Sequence, residues 1–95
     1  MYAVIFKAEV AQFDAEYTHM AAKMRQLAMD EFGCKEFIAN TEGDSEIAIS
    51  YWDNLDNIKA WKNNIEHRQA QAKGQSTWYK SYTVQIVEIL REYSR

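Results

Sequence analysis

The stretch Glu46-Ile47-Ala48-Ile49-Ser50-Tyr51-Trp52 decides the fold of this 95-residue chain. Its side chains alternate with the period of two that a β-strand imposes, yet both phases are apolar: Ile47, Ile49 and Tyr51 fall on one side, Ala48 and Trp52 on the other. An antiparallel sheet with one wet face alternates between apolar and polar residues. This strand therefore predicts a sheet covered on both sides.

Reading outward, Thr41-Glu42-Gly43-Asp44 supplies turn chemistry, and the run Cys34 to Asn40 before it contains Phe37 and Ile38, so the two segments predict a hairpin. Beyond Trp52, Asp53 with Asp56 three positions later has the pattern of an N-cap pair. Ile58, Trp61, Ile65 and Arg68 then share one stripe of a helix expected to run to about Ala72, before Gly74. At the other end, Tyr2, Val4, Phe6, Ala8 and Val10 alternate with Lys7 and Glu9 in a first strand. Asp14 is positioned as the N-cap of a first helix, whose Tyr17, Ala21, Met24, Leu27, Ala28 and Phe32 recur at three- and four-residue steps until Gly33. Ser76 to Arg91 reads as a long last strand. Tyr82, Val84 and Ile86 are in step there while Val87 and Ile89 are not, which predicts a bulge or strong twist near Ile86.

The order β-α-β-β-α-β places two helices on one face of a four-stranded antiparallel sheet, the ferredoxin-like arrangement, in an α+β domain spanning residues 1–95. Two helices cover one face only. The apolar residues of the other face predict a second copy of the chain packed sheet to sheet, a homodimer in the form of a dimeric α+β barrel.

Composition narrows the function classes. A net charge of −3 gives no electrostatic footing on nucleic acid or an anionic membrane. The single cysteine, Cys34, closes no internal disulfide, and the opening MYAVIFKAEV has neither the length nor the pattern of a signal peptide or membrane span, so a reducing cytoplasm is expected. Two isolated histidines and one cysteine form no metal-ligand spacing, and neither a glycine-rich phosphate loop nor a nucleophile elbow is present. Aromatic residues reach 14%, which points to a lined cavity, a large interface or an aromatic core.

The C-terminal half carries a resemblance. Glu46-Ile47, Ser50-Tyr51-Trp52, Ile58, Trp61, His67, Ala70-Gln71, Gly74, Trp78-Tyr79, Tyr82, Arg91 and Tyr93 together resemble the antibiotic biosynthesis monooxygenase domain of the dimeric α+β barrel superfamily. The resemblance implies cofactor-independent oxidation of an aromatic or quinone-like substrate in a pocket between helices and sheet. The non-catalytic alternative is a small-molecule-binding or structural dimer. Oxidative haem degradation, a third activity of the superfamily, uses an asparagine on the first strand, a tryptophan on the second helix and a histidine further along it. Trp61 matches, but the first strand has no asparagine, and Gln71 stands where the haem ligand is expected, with His67 one turn too early. Haem is therefore expected not to be degraded, and no cofactor is expected.

His67 is the candidate catalytic base, because imidazole titrates nearest neutrality; a histidine capping the helix end or bonding within the dimer is the bland reading. Gln71 shares its helix face and would orient substrate or a water. Trp61, Tyr82 and Met24 are the candidate lining, with core packing as the competing reading for Trp61 and Met24, and interface for Tyr82. Trp78 and Tyr79 are assigned to the interface, His19 to a solvated helix face, and Cys34 to a small buried hydrophobe.

Overall fold

The chain forms β1 (Tyr2–Val10), α1 (Ala15–Glu31), β2 (Glu36–Glu42), β3 (Ser45–Trp52), α2 (Leu55–Gln71) and β4 (Tyr79–Glu88). The computed structural model describes residues 1–11, 14–71 and 78–95, with 66–71 described by backbone alone. The expected β-α-β-β-α-β order is the observed one. The strands lie in the order β2-β3-β1-β4, and every neighbouring pair is antiparallel. Among the described residues, no helix is long and apolar enough to cross a membrane.

Local chemistry sets the helix ends. Asp14 has an extended backbone and its Oδ1 accepts the Tyr17 N–H at 2.7 Å, the N-cap expected from the sequence. At the other end the chain reverses through Gly33, whose φ of +79° suits a residue without a Cβ, and the Cys34 N–H closes on the Ala28 carbonyl at 2.9 Å. For α2 the cap is Asn54, not Asp53: Asn54 Oδ1 accepts the Asn57 N–H at 2.8 Å. Asp53 instead reaches back to Lys35, 3.1 Å away, with both side chains 56% exposed. That surface pair is worth at most about 1 kcal/mol, so the cap carries more of the local specification.

The hairpin turn is confined to Gly43-Asp44, and Glu42 pairs with Ser45 directly across it. The last strand departs from expectation. Its register with β1 runs unbroken from Tyr2 opposite Glu88 to Glu9 opposite Ser81, and the irregularity falls at Glu9/Val10, where Val10 faces Tyr79. No bulge occurs near Ile86. The apolar pair Ile86-Val87 simply places one residue on each face, as a strand with two apolar faces should.

On the helix side, β1 presents Tyr2, Val4, Phe6, Ala8 and Val10, and the paired register puts Glu46, Ala48, Ser50 and Trp52 of β3 beside them. Among the described residues the core has two parts. Val4, Ala28, Cys34, Trp52, Ile58 and Trp61 form the larger, and Val10, Tyr17 and Trp78 the smaller. Trp52 donates its indole N–H to Ser50 Oγ at 2.8 Å, both groups being buried, so the polar tip of a fully enclosed ring is satisfied within its own strand. Trp78 is also enclosed, edge-on to Tyr17 at 5.6 Å between ring centroids. Its assignment to the interface is thereby corrected: the residue precedes β4 rather than belonging to it, and its ring turns into the chain's own core.

Candidate functional site

A cavity of about 510 Å³ lies between the helices and the sheet. Its origin is visible in the strand pairing. Ala39 of β2 faces Ala48 of β3, which in turn faces Phe6 of β1, so two methyl groups occupy floor positions where larger side chains would fill the gap. The next row across the sheet is Thr41, Glu46, Ala8 and Tyr82, again with an alanine between two larger residues. Glu46 and Tyr82 are two strand spacings apart, roughly 9–10 Å between backbones, with only the Ala8 methyl between them.

Rings surround this end. Phe6 stacks near-parallel on Tyr82 at 6.0 Å and meets Tyr79 edge-on at 5.5 Å, while Tyr17 meets Tyr79 edge-on at 5.8 Å. The Tyr17 hydroxyl donates to Glu46 Oε2, tying α1 to β3. Burial holds the Tyr17 phenol protonated well above its ordinary range, reinforced by the bond to Glu46. Tyr79 is also pushed up, chiefly by burial, and the nearby Glu46 charge adds to this. Both therefore serve as neutral donors at physiological pH rather than as tyrosinate bases.

The opposite end is formed by Phe37, Trp61, Ile58 and Ile65, with Met24 and Arg25 on the α1 wall. The Arg25 guanidinium lies over the Phe37 ring at 5.7 Å and donates to the Phe37 carbonyl at 3.1 Å. Trp61 both packs in the core, 5.2 Å from Trp52 between ring centroids, and faces the cavity. Its indole N–H donates to the Met24 carbonyl at 3.1 Å, so a ligand meets the ring and not the N–H. Core and lining, posed as alternatives by the sequence, coexist in this residue.

Of the sequence-derived candidates, the structure brings Trp61, Met24 and Tyr82 to one cavity, with Tyr82 at its rim and 59% exposed. Tyr79 joins them, correcting its assignment to an interface, because the irregular register at Val10 swings it onto the helix side. The side chains of His67 and Gln71 lie outside the described residues. Sequence reasoning does not single out Tyr17 and Glu46 as site residues. The available signal is phase, since Glu46 shares the inward side of β3 with Trp52. Cys34 is buried, its thiol donating to the Glu36 carbonyl at 3.2 Å and pushed up in pKa by burial, so it is an inert hydrophobe. Among the described lining residues there is no histidine or cysteine to ligate a haem iron, and among all described residues no cluster of His, Cys, Asp or Glu is gathered for a metal.

Comparison with known proteins adds to this geometry. The chain is 38% identical over 92 residues to the uncharacterized protein YqjZ of Bacillus subtilis (strain 168), covering 96% of this chain and 81% of that one. The chain belongs to the YqjZ family. No family model matches it. Among solved structures, this YqjZ-family fold is similar to a mutant form of SnoaB, a cofactor-independent oxygenase from Streptomyces nogalater. The TM-score is 0.77 at 12% identity, covering 99% of this chain and 97% of SnoaB. It is also similar to a mutant form of MhuD with two manganese protoporphyrin IX molecules bound per active site, with a TM-score of 0.59 at 10% identity over 98% and 99% of the two chains. At such identities the likeness shows the fold alone.

Proposed function

We propose that this protein is a cofactor-independent monooxygenase acting on a small aromatic or quinone-like substrate held in the cavity. The observation that carries the reading is the cavity itself: apolar alanine floor, aromatic walls from Phe6, Phe37, Trp61, Tyr79 and Tyr82, and, among the described lining residues, a single carboxylate held by a phenol. Such a concave, mostly apolar site with few convergent polar groups suits a flat aromatic ligand. Trp61, Met24 and Tyr82 act as its walls, Gln71 orients the substrate, and His67 removes the proton that starts the reaction. The substrate methylene loses a proton to the base, the carbanion passes an electron to dioxygen, and the resulting pair combines to a hydroperoxide. Loss of water then leaves a carbonyl, so R₂CH₂ and O₂ become R₂CO and H₂O with no external reductant.

The working unit is a homodimer in a cytoplasmic setting. Ile38, Ile47 and Val87, on the face away from the helices, are 39%, 46% and 37% exposed in the single chain. A sheet-to-sheet contact would bury them, whereas an open apolar face is an aggregation hazard. The free, buried Cys34 thiol accords with a reducing compartment.

Oxygen uptake measured across a panel of hydroxylated polycyclic aromatics tests the reading. Turnover is expected for at least one, falling by roughly two to four orders of magnitude in His67→Gln with the secondary structure intact. Binding without oxygen consumption across the panel would make this a binding module instead.

A further inference from the structure

The proton transfer proposed above assigns no role to the Tyr17–Glu46 pair at the Phe6–Tyr82 end of the cavity. Glu46 lies inward on β3, and its Oε2 is taken by the Tyr17 hydroxyl. Among the described residues the carboxylate receives no other hydrogen bond and no ion pair. The two cations of the cavity wall, Arg25 and Lys62, come from the helices, and Arg25 is spent on the Phe37 carbonyl and ring. A carboxylate accepts at two oxygens and about four lone pairs. Tyr17 therefore fixes the orientation of Glu46 while leaving its second oxygen able to accept.

The space beside that oxygen is shaped. Ala8 separates Glu46 from Tyr82 in the cross-strand row and is itself buried, while the rings of Phe6, Tyr79 and Tyr82, in mutual contact at 5.5–6.0 Å between centroids, form one aromatic wall of the cavity that Glu46 also lines. A flat ring in the cavity, set against the Phe6–Tyr79–Tyr82 wall, would meet aromatic edges and faces there and an acceptor-only group at Glu46. A carboxylate rewards an O–H donor and penalises any ligand group that brings only lone pairs or a negative charge.

We propose that the Tyr17–Glu46 pair is the specificity element of the cavity and selects neutral aromatic alcohols, whose hydroxyl donates to the second Glu46 oxygen while the ring packs against the wall of Phe6, Tyr79 and Tyr82. The proposal rests on the reading that the cavity takes an aromatic ligand, and adds the group that the ligand must carry. Glu46 is a binding residue, and Tyr17 a positioning residue acting through it.

The test is calorimetric titration of the full chain with 2-naphthol, naphthalene and 2-methoxynaphthalene, of which only the first has an O–H. The native protein is expected to bind the naphthol at least tenfold more tightly than either of the others. In Glu46→Gln, which keeps the shape and removes the charge, that ratio is expected to fall to about threefold or less. In Tyr17→Phe the naphthol preference should survive, while its dependence on ring position broadens, as 1-naphthol and 2-naphthol converge in affinity. Equal binding of all three probes by the native protein would overturn the proposal and leave the aromatic cavity standing. A ratio unchanged in Glu46→Gln would likewise remove Glu46 from recognition. Absence of binding by any of the three would overturn both this proposal and the aromatic reading. The native ratio needs no variant, so a poorly folding substitution does not remove the test.

Discussion

The Tyr17 phenol and the Glu46 carboxylate, 29 residues apart in sequence, are joined by a hydrogen bond that crosses from the first turn of α1 to β3. It anchors the start of a helix that is tied further along by the exposed bond from Arg25 to the Phe37 carbonyl. The bond links stability to the shape of the cavity.

Tyr17→Phe removes the donor and leaves the ring. A hydrogen bond to a charged acceptor contributes about 1.5–3 kcal/mol, so urea unfolding should show a loss of roughly 2 kcal/mol, with the slope against urea unchanged. A loss below about 0.5 kcal/mol would show that the pair contributes nothing to stability.

Alkaline pH should act through the same residue. Unfolded tyrosines ionise near pH 10, whereas Tyr17 and Tyr79 keep their protons in the folded chain, chiefly through burial. Their contribution to stability is complete below that value and is lost as pH rises above it, because the unfolded chain then releases protons that the native one retains. Each such tyrosine steepens the fall by up to about 1.4 kcal/mol per pH unit. Urea midpoints from pH 8 to 11 should decline beyond 10, and less steeply in Tyr17→Phe.

Cys34 is buried beneath the end of α1 with its thiol pKa raised by desolvation. An aromatic disulfide reagent at pH 8 should leave it unmodified for hours in the native protein and react within minutes after denaturation. Rapid native reaction would place it at the surface.

Sedimentation at micromolar concentration should report about twice the 11.2 kDa chain mass. Ile47→Lys, which sets a charge on the helix-free face, should give a monomer with the secondary structure retained. A native monomer would leave that face without the expected cover.

Adding haem should give neither a sharp shifted Soret band nor bleaching on reduction, since Gln71 stands where the haem ligand is expected. Reductant-dependent bleaching would overturn this expectation.

Much of the fold is legible in the sequence because alternation and capping are local signals. The strand phases of Tyr2–Val10 and Ser45–Trp52 and the Asp14 cap follow from neighbours a few residues away. Asn54 escapes such a reading because Asp53 beside it is an equally good cap in isolation, and only the tertiary pull of Lys35 separates them. The displaced irregularity in β4 depends on how Val10 meets Tyr79, a long-range pairing that no local window contains. The site is half legible for the same reason. Trp61 and Met24 announce themselves by helical spacing, but the cavity exists because Ala39 and Ala48 meet from two different strands, and Glu46 gains meaning only beside them.

The contact between Trp52 and Trp61 makes the protein its own optical instrument. The two indoles lie 5.2 Å apart between centroids and are tilted by 41°, neither parallel nor perpendicular, so their strong transitions couple and should produce a paired positive and negative signal in the far-ultraviolet circular dichroism. Trp52 is sealed in the core while Trp61 forms part of the cavity wall. A guest reaching the Phe37–Trp61 end of the cavity therefore alters the whole couplet, whereas one confined to the Glu46–Tyr82 end leaves it unchanged. The couplet can then report, without a label, which end of the cavity a ligand fills.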